Sequence, residues 1–229
     1  MELQVKIKMN EKLFLKDPES SPLGKKIIRE GIALINKMGF EQFTFRKLAE
    51  KIGSTEAAIY KYFENKQRLL IYIVTWYWTL TEYSIILSTA SITRADKKLA
   101  TIIDHLCRPA ETQIAGVDYD RLALYHIVIS ESNKIYLNKE VNSNNKNQMF
   151  KPYKDLCGRI AGILSEANPK FKYPRSLAST LLEMSHTQYF FMQHLPSLTD
   201  FGKEKSIDHL REYLKHIIFS SLHLKIPLK

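Results

Sequence analysis

Apolar residues recur at spacings of three and four from Ser21 almost to the end of the chain, and the alternation of a half-buried strand is nearly absent. That periodicity predicts an all-α fold. The first long segment carries its own punctuation: Ser21 as a cap, Pro22 at the first helical position, and Gly39 as the left-handed stop after Met38. Between them Leu23, Ile27, Ile28, Gly31, Leu34, Ile35 and Met38 form one apolar stripe. Thr44 then stands as the cap of a short helix with Leu48, Ala49 and Ile52 inward and Gly53 at its end. Ser54 or Thr55 caps a third helix expected over Glu56–Phe63, and Asn65 caps a fourth. The alternating exception is Leu3, Val5, Ile7 and Met9, which predicts either a small hairpin or an arm ordered only where it docks.

The fourth helix contains the most apolar stretch, Leu69–Thr81. Its 13 uncharged residues fall short of the ~20 needed to cross a bilayer, so it reads as a buried core helix. Cys107 and Cys157 lie 50 residues apart, outside any C-x-x-C pattern, which fits a reducing cytoplasm better than a secreted disulfide framework. The N-terminus lacks the continuous apolar run of a signal peptide. The net charge of +10 points to an acidic partner, nucleic acid or an anionic membrane surface. Residues 1–70 concentrate that excess, with 14 Lys and Arg against 9 Asp and Glu.

Two short helices joined by a Gly-containing turn over Thr44–Phe63 fit a helix-turn-helix. The second helix opens on Ser54, Thr55, Ala57 and Ala58, small enough to approach a major-groove floor, with Tyr60, Lys61 and Tyr62 as longer polar contacts. Arg46, in the first turn of the preceding helix, is a further candidate for phosphate. Read alone, Tyr60 and Phe63 also suit a small core, and Lys61 and Lys66 suit ordinary solvated charge.

Gly39–Leu70, GFEQFTFRKLAEKIGSTEAAIYKYFENKQRLL, resembles the DNA-binding domain of the TetR family of bacterial transcriptional regulators. The matching features are Gly39-Phe40 closing the first helix, Thr44 to Ala49 in the second, and Tyr60-Lys61-Tyr62-Phe63 through Lys66. The resemblance extends over residues 21–81. It implies phosphate contacts from Thr44, Tyr62 and Lys66, and a recognition face of Thr55, Glu56, Ala57, Ala58, Tyr60 and Lys61. Two positions depart from the family: Ala58 replaces a frequent Thr, and Glu56 stands where many relatives carry Lys or Arg. A methyl can still meet thymine, and Glu56 can accept from cytosine N4 or repel phosphate.

The same resemblance divides the chain into an arm over 1–20, a DNA-binding domain over 21–81, and a helical effector-binding and dimerisation domain over 82–229. Helices are expected over Lys97–Leu106, Tyr119–Ser132, Gln148–Ala167, Arg175–His194 and Lys203–Leu224, with the polar run Asn142–Asn147 as a separator. The last two are amphipathic and would pair with a second copy, as a reader of two half-sites requires. An effector pocket would draw its lining from Trp76, Tyr77, Trp78, Tyr83, His105, Tyr125, His126, Tyr189 and Phe190, residues that equally suit plain core. The expected partners are a double-stranded, (pseudo)palindromic DNA operator, a second copy of the chain and a small-molecule effector, with no membrane, cofactor or metal. His209, His216 and His223 repeat every seven residues, about 10.5 Å apart along a helix and too far to share one ion. A row of histidines beside a dimer face would instead make dimerisation pH-sensitive. No nucleophile elbow, phosphate loop or H-E-x-x-H pattern points to an enzyme. The expected function is a DNA-binding repressor released by an effector. The alternative is a helical ligand-binding or enzymatic domain whose basic charge serves an anionic membrane or substrate.

Overall fold

The computed structural model describes residues 9–108 and 119–227. Among them every long element is an α-helix: α1 Pro22–Gln42, α2 Phe45–Ile52, α3 Glu56–Tyr60, α4 Lys66–Thr89, α5 Ala95–Cys107, α6 Arg121–Glu131, α7 Asn133–Tyr136, α8 Val141–Lys146, α9 Lys151–Ala167, α10 Pro174–His194 and α11 Ile207–Ser221. The chain divides into two compact units, one of residues 9–80 with 119–152, the other of residues 81–108 with 153–227. The division near residue 81 expected from the sequence is therefore only half of the pattern. Helices α6 to α8, expected in the C-terminal domain, pack with α1 to α4.

In the first unit α1 lies against α2 and α6, and α2 against α3. Ile27, Ile28, Ile32 and Ile35 of α1 are buried with Phe43, Leu48, Ile59 and Phe63. Residues 69–74 of α4 are buried without a break, including Tyr72, so this helix has no solvent face there. The N-terminal segment carries two 3-10 turns, Glu11–Leu13 and Pro18–Ser20. Met9 and Leu13 are buried, and Asn10 Nδ2 donates to Asn147 O at 2.8 Å. Leu3, Val5 and Ile7 lie outside the described residues; within them no hairpin forms.

The second unit is built on α5, α10 and α11, which pack on one another. Leu210, Leu214, Ile218 and Leu222 face inward at three- and four-residue spacing. Asn168 Nδ2 donates to Leu222 O at 3.0 Å and ties the end of α9 to that of α11. Asp104 on α5 is 2.6 Å from Lys215 Nζ on α11.

Several boundaries differ from the expectation. The polar run Asn142–Asn147 is not a loop: it forms most of α8, with Asn144 buried. Helix α3 ends at Tyr60 rather than Phe63, and α11 ends at Ser221, leaving His223 outside it at φ 54°. The three histidines therefore do not share one helix face, and His209 Nδ1 sits 3.2 Å from Glu204 Oε2. No group of three or more metal-ligating side chains occurs among the described residues, and no helix there is long and apolar enough to cross a membrane.

His186 on α10 is buried, and loss of hydration pushes its pKa down from 6.5 to about 4. The unfolded chain therefore binds a proton that the folded chain refuses. Stability is intact above pH ~6.5 and is lost as pH falls toward 4, by roughly 3 kcal/mol for this group. Urea titrations between pH 7 and 4 should show that loss, and His186→Asn should flatten the pH dependence even if it is less stable throughout.

Candidate nucleic-acid interface

The α2–α3 pair is set by caps at each end. Thr44 Oγ1 accepts from Lys47 N at 3.2 Å. Gly53 closes α2 at φ 65°, ψ 44°, a left-handed conformation that side chains with a Cβ adopt at a cost. Ser54 N then donates to Ala49 O at 2.9 Å and Gly53 N to Glu50 O at 3.4 Å, the paired bonds of a Schellman motif. Thr55 Oγ1 accepts from Ala58 N at 3.2 Å and opens α3. The carboxylate of Glu56 follows in the first turn, where the helix end is positive.

With Ile59 and Phe63 buried, α3 turns a contiguous set outward. Thr55, Glu56, Ala57, Tyr60 and Lys61 are exposed, and Ser54 and Ala58 are half-buried. Tyr60 is held edge-on against Phe45, ring centroids 5.0 Å apart, which fixes the ring and leaves 48% of the residue exposed. Arg46 is exposed and 3.1 Å from Glu50 Oε1, a surface pair that an anion can displace at little cost.

Two expected phosphate contacts are otherwise engaged. An ammonium has three N–H donors, and Lys66 Nζ donates to Phe40 O at 3.0 Å, Phe43 O at 3.1 Å and Glu41 O at 3.2 Å. It also lies 4.6 Å from the Phe40 ring centroid. Here Lys66 closes the carbonyl end of α1 and positions α2. Tyr62 is buried, and its hydroxyl pairs with Ser21 Oγ at 2.8 Å, where Ser21 also caps α1 through Gly24 N. Lys26 and Lys47 likewise donate to Ile52 O and Gln42 O, at 2.8 and 2.7 Å.

Sequence reading missed Lys16. Leu15 N donates to Tyr62 O at 2.7 Å, and exposed Lys16 Nζ sits 5.3 Å from the Tyr62 ring centroid, beside the end of the recognition element. Nothing local in the sequence signals it, because the bond that brings it there spans 47 residues.

The turn that precedes α2 is the most constrained point. Gly39 has φ 76° and ψ 158°, a region open essentially to glycine, and so breaks the helical path inside α1. Glu131, at the end of α6, is 6% exposed, and its Oε1 accepts from Phe40 N at 3.1 Å. Its Oε2 lies 2.9 Å from Lys134 Nζ, which reaches Glu41 Oε1 at 2.8 Å. The hydrogen bond and charge of Lys134 hold the Glu41 carboxyl below its usual value. Burial draws Lys134 down, but the bonds to Glu41 and Glu131 outweigh it and leave its pKa raised.

The match to known proteins falls on this region. Residues 27–73 match the family model described as bacterial regulatory proteins, tetR family. Over those residues the chain is similar to the tetR family. It is 43% identical over 44 residues to the tetracycline repressor protein class C of Escherichia coli, and the match spans 19% of this chain and 20% of that repressor. The likeness of the fold to solved structures runs much further. AibR, solved in complex with isovaleryl coenzyme A and operator DNA, superposes with a TM-score of 0.59 at 16% identity over 89% of this chain and 98% of that one. The fatty acid degradation regulator FadR from Bacillus halodurans gives 0.58 at 17% identity over 83% and 97%.

The expected pocket residues fall into both units. Trp76, Tyr77 and Tyr125 are buried in the first, with His126 half-buried, and Trp78 Nε1 donates to Tyr136 Oη at 2.9 Å. In the second, His105 is buried, Tyr189 and Phe190 are half-buried, and Tyr83 is exposed. A groove of about 450 Å³ in the second unit is lined by Arg94, Asp96, Glu166 and Leu224–Pro227 and by none of these candidates.

Removing the Glu131 carboxyl strands a buried N–H beside Gly39. Glu131→Ala should cost about 2 kcal/mol in chemical denaturation, and Glu131→Gln, which keeps an acceptor for Phe40 N–H, should recover much of it. Equal stability of the alanine variant and the parent would refute that role.

Proposed function

We propose that this chain is a tetR-family, homodimeric, sequence-specific DNA-binding regulator of transcription that acts in the cytoplasm as a repressor and releases its operator when a small molecule binds. The observation that carries the reading is the outward set on α3, Thr55, Glu56, Ala57, Tyr60 and Lys61, presented by a helix whose opposite side is anchored by Ile59. A helix so held presents its first turn to a major groove, and small residues there permit close approach. Ala57 and the half-buried Ala58 offer methyl groups for thymine; Lys61, Lys16, Arg46 and the exposed cap Thr44 are the groups for phosphate.

Pairing of two copies is supported by α10. Leu177, Met184 and Phe191 follow one another every seven residues and are only half-buried in the single chain. A stripe of that kind is a natural seam for the same helix of a second copy. Two copies would set two recognition helices against the half-sites of a (pseudo)palindromic operator. Release of the operator is read as a population shift: an effector that prefers a dimer with mismatched half-site spacing lowers affinity by its difference in affinity for the two states. The AibR structure contains both an acyl thioester of coenzyme A and operator DNA, which supports a regulator with two such ligands.

Selection of bound duplexes from a random pool tests the reading and reveals half-site symmetry. With the selected duplex, Lys61→Ala should weaken binding and lower the salt slope by ~1 per subunit. Lys66→Ala should act differently, lowering stability first, because its donors serve the protein's own carbonyls. A salt slope unchanged by Lys61→Ala, or a pool from which no duplex is enriched, would contradict the assignment.

A further inference from the structure

We infer that Arg121, the first residue of α6, is the recognition site for an oxyanion carried on an apolar body, the chemical class of the effector. The inference rests on the effector-responsive reading above. Three features of Arg121 act against it in the protein as it stands. Its Nη1 is buried and has no hydrogen-bond partner. No carboxylate among the described residues pairs with it; the adjacent Asp120 is engaged instead as the α6 cap, accepting from Ala123 N at 3.0 Å. A cation in the first helical turn also faces the positive end of the helix. Burial accordingly lowers its pKa, with Tyr77 on α4 giving only partial relief. The half-buried guanidinium keeps one buried donor, Nη1, without an acceptor, and its planar fork suits a carboxylate or a phosphate.

The surroundings say what the anion is attached to. Tyr125, one turn further along α6, is buried, and its ring centroid is 6.4 Å from that of Tyr77 at an interplanar angle of 31°. Trp76, next on α4, is edge-on to Tyr119 at 4.9 Å. The one carboxylate bonded within this aromatic group, Glu19, already accepts from the Tyr119 and Tyr72 hydroxyls, so the Arg121 guanidinium is the charge left to meet an amphiphilic acid. Helix α6 joins Arg121 to Glu131, so an anion at its start acts on the helix whose other end holds Phe40 N–H.

The test uses the full chain and four eight-carbon probes: octanoate, octyl phosphate, octanamide and octyltrimethylammonium. Without any probe, Arg121→Met should leave Tm unchanged or raise it, because the guanidinium makes no ion pair among the described residues and its Nη1 is a buried donor without an acceptor; a Tm lowered by several degrees shows a structural role and overturns the inference. In the parent protein octanoate or octyl phosphate should raise Tm more than octanamide, and octyltrimethylammonium should not raise it. The preference for the anion should vanish in Arg121→Met and survive in part in Arg121→Lys, which keeps the charge without the fork. A larger effect of one anion than the other identifies the source as carboxylate or phosphate. Anion and amide acting alike, or an anion preference that persists in Arg121→Met, overturns the inference. Duplex selection without any probe tests the DNA-binding reading by itself, so failure of that reading is seen separately from failure of the arginine site.

Discussion

The short turn from Gly39 to Phe43 governs the geometry of the α2–α3 pair that follows it. It has to redirect the chain within five residues while burying Phe40 and Phe43, and its peptide groups must be satisfied away from water. Glu131 takes the Phe40 N–H, and Lys66 takes the carbonyls of Phe40, Glu41 and Phe43. The turn is thus held from one side by the end of α6 and from the other by the start of α4. The position of α2, and through the Schellman closure at Gly53 that of α3, follows from this clamp. An acid and a base brought from 91 and about 25 residues away do what no local sequence could.

That arrangement also explains how basic charge is used in this domain. Lysine is usually read as solvated surface or as a phosphate contact, yet Lys26, Lys47 and Lys66 each donate to a backbone carbonyl at or just beyond a helix end. Cations there complement the negative end of the helix dipole and satisfy acceptors that the helix leaves over. The family resemblance assigns Lys66 by position in a motif. The structure assigns its donors by what they touch, and the two assignments differ.

Much of the architecture was legible in advance, for reasons that are local. Ser21, Thr44, Thr55 and Asn65 all cap the helices their positions announce, and Gly39 and Gly53 take the positive φ that a stop requires. The apolar run of α4 is buried as its lack of a polar face demands. What was not legible is long-range. Helix α8 forms from an asparagine-rich run because Asn144 is buried beside α4, where its Oδ1 accepts from Arg68 Nη1 at 3.1 Å. The burial of Glu131, the engagement of Tyr62 with Ser21 and the approach of Lys16 to Tyr62 each depend on partners far away in sequence. The pocket candidates were chosen as large aromatics, a criterion that cannot distinguish core from lining; the residue with a chemical reason to meet a ligand, Arg121, is not aromatic.

The segment before α1 bears on how such a module can be exchanged between relatives. The family match begins at residue 27, and a designer grafting this helix-turn-helix module onto another body would be tempted to cut near residue 21. Leu13 is completely buried and Leu15 bonds the backbone at Tyr62, so a graft cut there leaves behind a leucine-sized hole and an unpaired carbonyl beside the recognition element. A hole of that size costs about 2–5 kcal/mol, enough to turn a transplantable head into a poorly folded one. The natural seam of this module lies upstream of the homology that advertises it.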